Sequence, residues 1–144
     1  MINNDTQELL NNCNSGLIMG IDSIDHVLNY AKSDALKQLL QQYKIEHEQL
    51  WEDVKRKMSI YNNEAKEPCP VTRVMSWIST NFKIATHNPD TEIAEIMHDG
   101  CNMGIKSLCK YINKYPSAEK EVIKIAKSII KIEDEFLYEL RNFL

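Results

Sequence analysis

Apolar residues recur every three or four positions through most of this chain, and no segment alternates between apolar and polar residues over a useful length. The three-to-four spacing places apolar side chains on one face of an α-helix, whereas alternation would indicate a strand. The pattern therefore predicts an all-α protein. It predicts four long helices and one short one, at about 5–31, 34–58, 71–85, 90–114 and 122–144.

Polar and turn-forming residues mark where several of these helices begin. Asp5 and Glu8 have the spacing of a capping box, with an acid at the N-cap and a Glu three residues later. Ser33 restarts the apolar pattern for the second long helix. Asn88 followed by Pro89 supplies an N-cap and a first-turn proline for the third.

The helix order predicts one domain over residues 1–144, built from two hairpins. The first hairpin covers 5–61 and the second covers 89–144, because each contains two long helices joined by a short connection. The segment between them, 62–88, contains prolines and the short helix, and it is long enough to return the chain along the bundle. The prediction is a four-helix bundle with one long crossover.

An internal duplication supports this arrangement. The segments 16–24 and 100–108 share the pattern GxxMGIxS followed by Ile or Leu, and a weaker likeness links 46–52 to 133–139. All four glycines of the chain lie in the first motif: Gly16, Gly20, Gly100 and Gly104. Each interior glycine costs a helix ~1 kcal/mol relative to alanine, so we expect a local benefit. We favour close crossing of the first and third long helices, and the alternative is space for a bound ligand.

Charge and composition narrow the possible partners. The chain has 17 Lys and Arg against 21 Asp and Glu, a net charge of −4, which gives no electrostatic footprint for nucleic acid or an anionic membrane. No apolar run approaches the ~18 residues of a membrane span. The first residues lack the features of a signal peptide, so we expect a cytoplasmic protein.

Carboxylate-bridged metal sites in helical bundles require a Glu from each of two helices and a Glu-x-x-His from each of the other two. Glu46 and Glu133 fall near the middles of the second and fourth long helices, but Gln49 and Phe136 stand where the histidines would be needed. The first and third helices offer glycine instead of Glu at mid-height. We therefore expect no intact di-metal site, no bound cofactor and no catalytic site.

His47 leaves two interpretations of the bundle centre open, because it falls on the inward face of its helix near Glu133. In the first interpretation, Glu133 belongs to a buried polar cluster with His47, Tyr43 or the hydroxyls of Ser23 and Ser107. In the second, a degenerate site for Fe, Mn or Zn is formed by Glu46, His47 and Glu133, with Cys101 as a further candidate ligand. Burying a charge without a partner is costly, which favours the first interpretation.

These features resemble the ferritin-like superfamily over nearly the whole chain. The repeated MGIxS motif with the central MSWI at 75–78 resembles a family of uncharacterised ferritin-like proteins from clostridia and related Firmicutes. The resemblance implies a ferritin-like fold but no activity. We therefore expect a non-catalytic bundle that acts through protein contacts, with a homodimer contact near Trp77, and we keep metal or small-ligand binding as the alternative.

Overall fold

The computed structural model describes residues 3–61 and 88–144, which form four long helices and one short 3₁₀ turn. The helices are α1 (Asn4–Leu28), α2 (Asp34–Ile60), α3 (Pro89–Lys114) and α4 (Lys120–Leu140), and the 3₁₀ turn covers Arg141–Phe143. No strand occurs in these two ranges. The all-α prediction is therefore confirmed, whereas the short helix expected at 71–85, with Trp77, lies outside the described residues.

The caps confirm two of the three predicted helix starts and correct the third. The side chain of Ser33 accepts a hydrogen bond from the backbone N–H of Leu36, and α3 begins at Pro89. The capping box at Asp5 was wrong, because Asn3 is the N-cap of α1 and its side chain accepts from the backbone N–H of Thr6. Asp5 lies within the first turn, where its carboxylate has another role that is described below.

Contacts at both ends of the bundle establish how the helices run. The start of α1 contacts the α3–α4 loop, where the backbone N–H of Glu119 donates to the hydroxyl of Thr6 at 2.9 Å. The loop between α1 and α2 contacts the start of α3 through Asp90. Helices α1 and α3 are therefore antiparallel. The first hairpin ends at one end of the bundle, and the second hairpin begins at the opposite end. This is a four-helix bundle built from two helical hairpins.

The apolar core consists of two clusters separated by a polar layer. One cluster lies toward the α1–α2 loop and the other toward the α3–α4 loop. The level between them is occupied by one residue from each helix: Gly20, His47, Gly104 and Glu133. The bundle centre is thus the place where the apolar pattern is interrupted on all four helices. None of the four described helices has the length and apolar character to cross a membrane.

Candidate functional site

The polar layer is built around His47, whose side chain is 1% exposed. Its Nδ1 lies 2.6 Å from the carbonyl oxygen of Tyr43, one turn earlier in α2. Its Nε2 lies 2.5 Å from Oε1 of Glu133 in α4. Since a carbonyl oxygen only accepts, Nδ1–H is the donor in the first contact. The second contact then requires one further proton, which lies on Nε2 when the pair is ionic and on the carboxyl group when it is neutral.

The surrounding charges favour the ionic form of this pair. Burial by itself lowers the pKa of His47, because it removes water from the imidazolium. The hydrogen bond and the charge of Glu133 raise the pKa, and the carbonyl of Tyr43 and the charge of Glu46 raise it further. The net effect is a pKa above the ordinary value for histidine. The raised pKa favours an imidazolium that donates to the carboxylate of Glu133.

Two of the motif glycines provide room for this pair. A Cβ added at Gly20 would lie 3.0 Å from Cδ2 and 3.2 Å from Nε2 of His47, and a Cβ added at Gly104 would lie 3.8 Å from Oε2 of Glu133. No backbone atom of a neighbouring described helix is among these nearest atoms. The glycine of each hairpin thus accommodates the polar side chain of that same hairpin.

The remaining motif glycines do not share this role. A Cβ added at Gly16 would meet nothing within 4 Å, so close crossing of α1 and α3 does not explain that glycine. Gly100 is half-buried in α3. The expected meeting of two glycine patches is therefore replaced, at Gly20 and Gly104, by contacts with the His47–Glu133 pair.

The thiol of Cys101 contacts the carboxylate of Glu133 as well. Its pKa is raised by burial, by the charge of Glu133 and by a hydrogen bond to Glu133. A thiol reacts as the thiolate, so a raised pKa opposes nucleophilic chemistry. In a catalytic Cys–His arrangement the imidazole activates the thiol, whereas here Glu133 is bonded to both groups. Because the thiol is bonded to Glu133 and not to the imidazole, this arrangement does not activate Cys101.

Glu46 is not part of the pair, although the sequence placed it among the candidate ligands. Burial raises its pKa, and the charges of Glu135 and Glu139 raise it further. Its Oε2 atom is buried and makes no hydrogen bond. Of the three candidate ligands, the structure joins His47 and Glu133 only. Within 3–61 and 88–144, no group of three or more His, Cys, Asp or Glu side chains is arranged to hold a metal ion.

The other polar side chains considered for the centre contribute less than expected. Tyr43 supplies its backbone carbonyl to His47, while its ring stacks on Phe136 with centroids 4.4 Å apart. Burial raises the pKa of the Tyr43 hydroxyl, and its hydrogen bond to Glu139 raises it further. Ser23 is buried, whereas Ser107 is exposed and so does not belong to the buried centre. The polar cluster is therefore chiefly a histidine–glutamate pair.

Sequence reasoning missed a second set of polar contacts, at the bundle ends. The carboxylate of Asp90 accepts hydrogen bonds from the backbone N–H groups of Lys32, at 2.7 Å, and Ser33, at 2.9 Å. At the other end, Asp5 accepts from the backbone N–H of Ser117 at 3.0 Å. Burial acts to raise the pKa of Asp90, but the hydrogen bonds from the loop outweigh it and the net pKa is lowered. The sequence distance from Asp5 to Asp90, and from Ser33 to Ser117, nearly equals the distance between the two copies of the glycine motif. This regularity in the sequence could have pointed to the contacts at the bundle ends.

Comparison with known proteins supports the fold and nothing finer. No protein-family model and no curated protein matches the sequence. The chain is similar to a solved structure described as the crystal structure of a DUF305 fragment from Deinococcus radiodurans. The TM-score is 0.78 at 7% sequence identity, and the match covers 98% of this chain and 95% of that one. At this identity the likeness confirms the helical-bundle architecture over nearly the full length.

Proposed function

We propose that this protein is a non-catalytic ferritin-like bundle that acts through protein–protein contacts. The observation that carries the proposal is the closure of its centre by His47 and Glu133. Both imidazole nitrogens have partners within 2.6 Å, and the carboxylate also receives the thiol of Cys101. A metal ion or substrate would have to displace these bonds before it could bind.

The proposed partner is a second copy of the chain, in a cytoplasmic protein that binds no nucleic acid. Trp77 remains the sequence-based candidate for this contact. On the described surface, a groove of about 350 Å³ between α2 and α4 adds a second candidate, because Leu50, Ile60 and Ile125 supply apolar surface among its charged and polar lining residues. Ile60 is 69% exposed, which is the highest value among the large apolar side chains of residues 3–61 and 88–144. Exposed apolar groups of this kind are typical of contact surfaces when they cluster.

Light scattering during size-exclusion chromatography tests the proposal. We expect a dimer at high protein concentration, which Trp77→Ala or Ile60→Glu converts to a monomer. Ile45→Glu is the matched control, because Ile45 is also exposed on α2, at 53%, but does not line the groove. A strict monomer at all concentrations would contradict the homodimer. An oligomer that survives both substitutions would place the contact elsewhere.

The second candidate function is binding of Fe, Mn or Zn at Glu46, His47 and Glu133. The buried oxygen of Glu46 without a hydrogen bond, together with the effect of its charge on His47, supports this candidate. It requires Glu46 to turn toward the pair. Mass spectrometry after anaerobic incubation with each metal distinguishes the two functions: about one equivalent per chain, lost in Glu133→Ala, supports the metal site. Two equivalents per chain would indicate an intact di-metal site.

The finer relationship to clostridial ferritin-like proteins also remains a proposal, based on the MGIxS and MSWI motifs.

A further inference from the structure

The contacts at the two bundle ends have the same design, and we call them the reciprocal clamps. In each clamp, an aspartate in the first turn of one hairpin accepts hydrogen bonds from the interhelical loop of the other hairpin. Asp5 of the first hairpin binds the loop at Ser117, and Asp90 of the second binds the loop at Lys32 and Ser33. The two serines occupy corresponding positions of the duplicated halves, and the two aspartates correspond to within one residue. Each hairpin therefore both provides a clamp and receives one.

The central pair also joins one hairpin to the other. His47 belongs to the first and Glu133 to the second, and their bond lies between the two apolar clusters. The hairpins thus meet through polar contacts at both ends and at the centre, with an apolar layer between each end and the middle. This alternation repeats along the full length of the bundle.

Apolar layers alone discriminate poorly between alternative pairings of two such hairpins. A shift of one hairpin by a helical turn replaces one set of Leu, Ile and Val side chains with a similar set. The same shift separates His47 from Glu133 and leaves both inside the core. It also removes the carboxylates from the loop N–H groups. Buried groups that lose their partners incur the full cost of desolvation, which makes the His47–Glu133 pair effective at specifying register. The clamp hydrogen bonds are exposed or partly buried, so each adds a smaller preference for the native alignment.

We propose that the reciprocal clamps and the His47–Glu133 pair together form a register device that selects one pairing of the two hairpins. The apolar clusters supply most of the stability of the bundle, and the polar contacts determine which alignment is populated. The three contacts act jointly, because any one of them that remains still disfavours a shifted alignment.

Nuclear magnetic resonance tests the device in the full-length chain. A variant with Asp5→Ala, Asp90→Ala, His47→Leu and Glu133→Leu removes all three contacts and keeps the centre apolar. We expect helix content close to that of the wild type but two or more amide peaks for many residues, where the wild type gives one. Asn14→Leu is the control, because the hydrogen bond from Trp51 to Asn14, at 2.9 Å, lies within the first hairpin. It should keep one peak per residue. One set of sharp peaks from the four-site variant would overturn the proposal.

If the four-site variant does not fold stably enough for nuclear magnetic resonance, a double-mutant cycle tests the register device instead. In a His47→Leu, Glu133→Leu background, Asp5→Ala and Asp90→Ala are measured singly and together for their effect on the unfolding equilibrium constant. Independent surface contacts would give effects that multiply. A register device predicts that the double effect falls short of the product of the single effects by more than twofold, because shifted folded alignments become populated once both clamps are lost and limit the further loss of folded protein. A double effect within twofold of the product would refute the device.

Discussion

Substitution of three of the four helical glycines, Gly16, Gly20 and Gly104, by alanine separates the role of Gly20 from an ordinary helix effect. Alanine stabilises a helix interior by ~1 kcal/mol relative to glycine, and this gain should appear in full where the new methyl group meets no neighbour. Gly16 provides that case, because nothing lies within 4 Å of its added Cβ. At Gly104 the nearest atom is 3.8 Å away, an ordinary van der Waals distance. We expect both variants to be more stable than the wild type by about 0.5–1 kcal/mol.

Gly20→Ala should behave in the opposite way. Its Cβ would lie 3.0 Å from Cδ2 of His47, a tighter contact than most Cβ atoms make in folded proteins, so the ring would have to move by a few tenths of an ångström. The ring is held at both nitrogens and has little freedom to retreat. A hydrogen bond to a charged group contributes about 1.5–3 kcal/mol, so weakening the bond to Glu133 outweighs the helix gain of ~1 kcal/mol. The expected net loss is about 0.5–2 kcal/mol.

Denaturant unfolding followed by circular dichroism measures all three free energies under the same conditions. The informative quantity is the difference between Gly20→Ala and Gly104→Ala, since both replace a central helical glycine with the same residue. A Gly20→Ala variant as stable as Gly104→Ala would refute the assignment of Gly20 as the space for the imidazole.

The remaining predictions concern charge at the same site and at the clamps. Glu133→Gln should cost much less stability than Glu133→Ala, because a glutamine amide still donates a hydrogen bond to neutral His47. Glu133→Ala breaks a buried pair, which costs about 3–5 kcal/mol. Equal losses of the free energy of unfolding in denaturant would contradict this prediction. Because the folded-state pKa of His47 is raised, the stabilisation from the pair should be complete below about pH 6.5 and be lost as pH rises through the folded pKa. Unfolding free energies measured as a function of pH should show this decline in the wild type and a flatter profile in Glu133→Gln. For Asp90, whose pKa is lowered, stabilisation should be present above about pH 4 and be lost as pH falls through the folded pKa, a loss that Asp90→Asn should abolish. Exposed Cys109 should react rapidly with iodoacetamide at pH 8, whereas buried Cys13, whose pKa is raised to about 12, should react only after unfolding; equal rates by mass spectrometry would contradict the burial of Cys13.

Much of the fold could be predicted because helical bundles are encoded by local periodicity. The apolar spacing located the four long helices, and their order with one long connection indicated two hairpins and a crossover. The end of α1 was less predictable: the apolar pattern continues to Ala31, but the helix ends at Leu28 and the loop residue Ala31 is still buried in the core. A periodic pattern reports burial, and burial continues past a helix end when the loop packs against the core.

The candidate site was harder to predict, because it depends on helix rotation and on distant partners. Glu46 and His47 are neighbours whose side chains point about 100° apart on a helix. A modest rotation of α2 therefore decides which of them reaches Glu133, and the apolar spacing does not fix that rotation. The roles of Asp5 and Asp90 depend on loops more than 50 residues away, since Asp90 binds Ser33 across 57 positions. A helix-capping motif near Asp5 provided a local explanation that concealed the distant contact.

The central claim is that the His47–Glu133 pair closes the bundle centre to metal ions. Nitrogen-15 NMR of the His47 imidazole, recorded at neutral pH without and with equimolar Zn(II), tests this claim most directly. The account predicts two protonated ring nitrogens, with the Nε2 proton directed at Glu133 and a spectrum that does not change when the metal is added. An unprotonated Nε2 whose resonance shifts on addition of Zn(II) would contradict the account, because it would show an open metal ligand at the bundle centre.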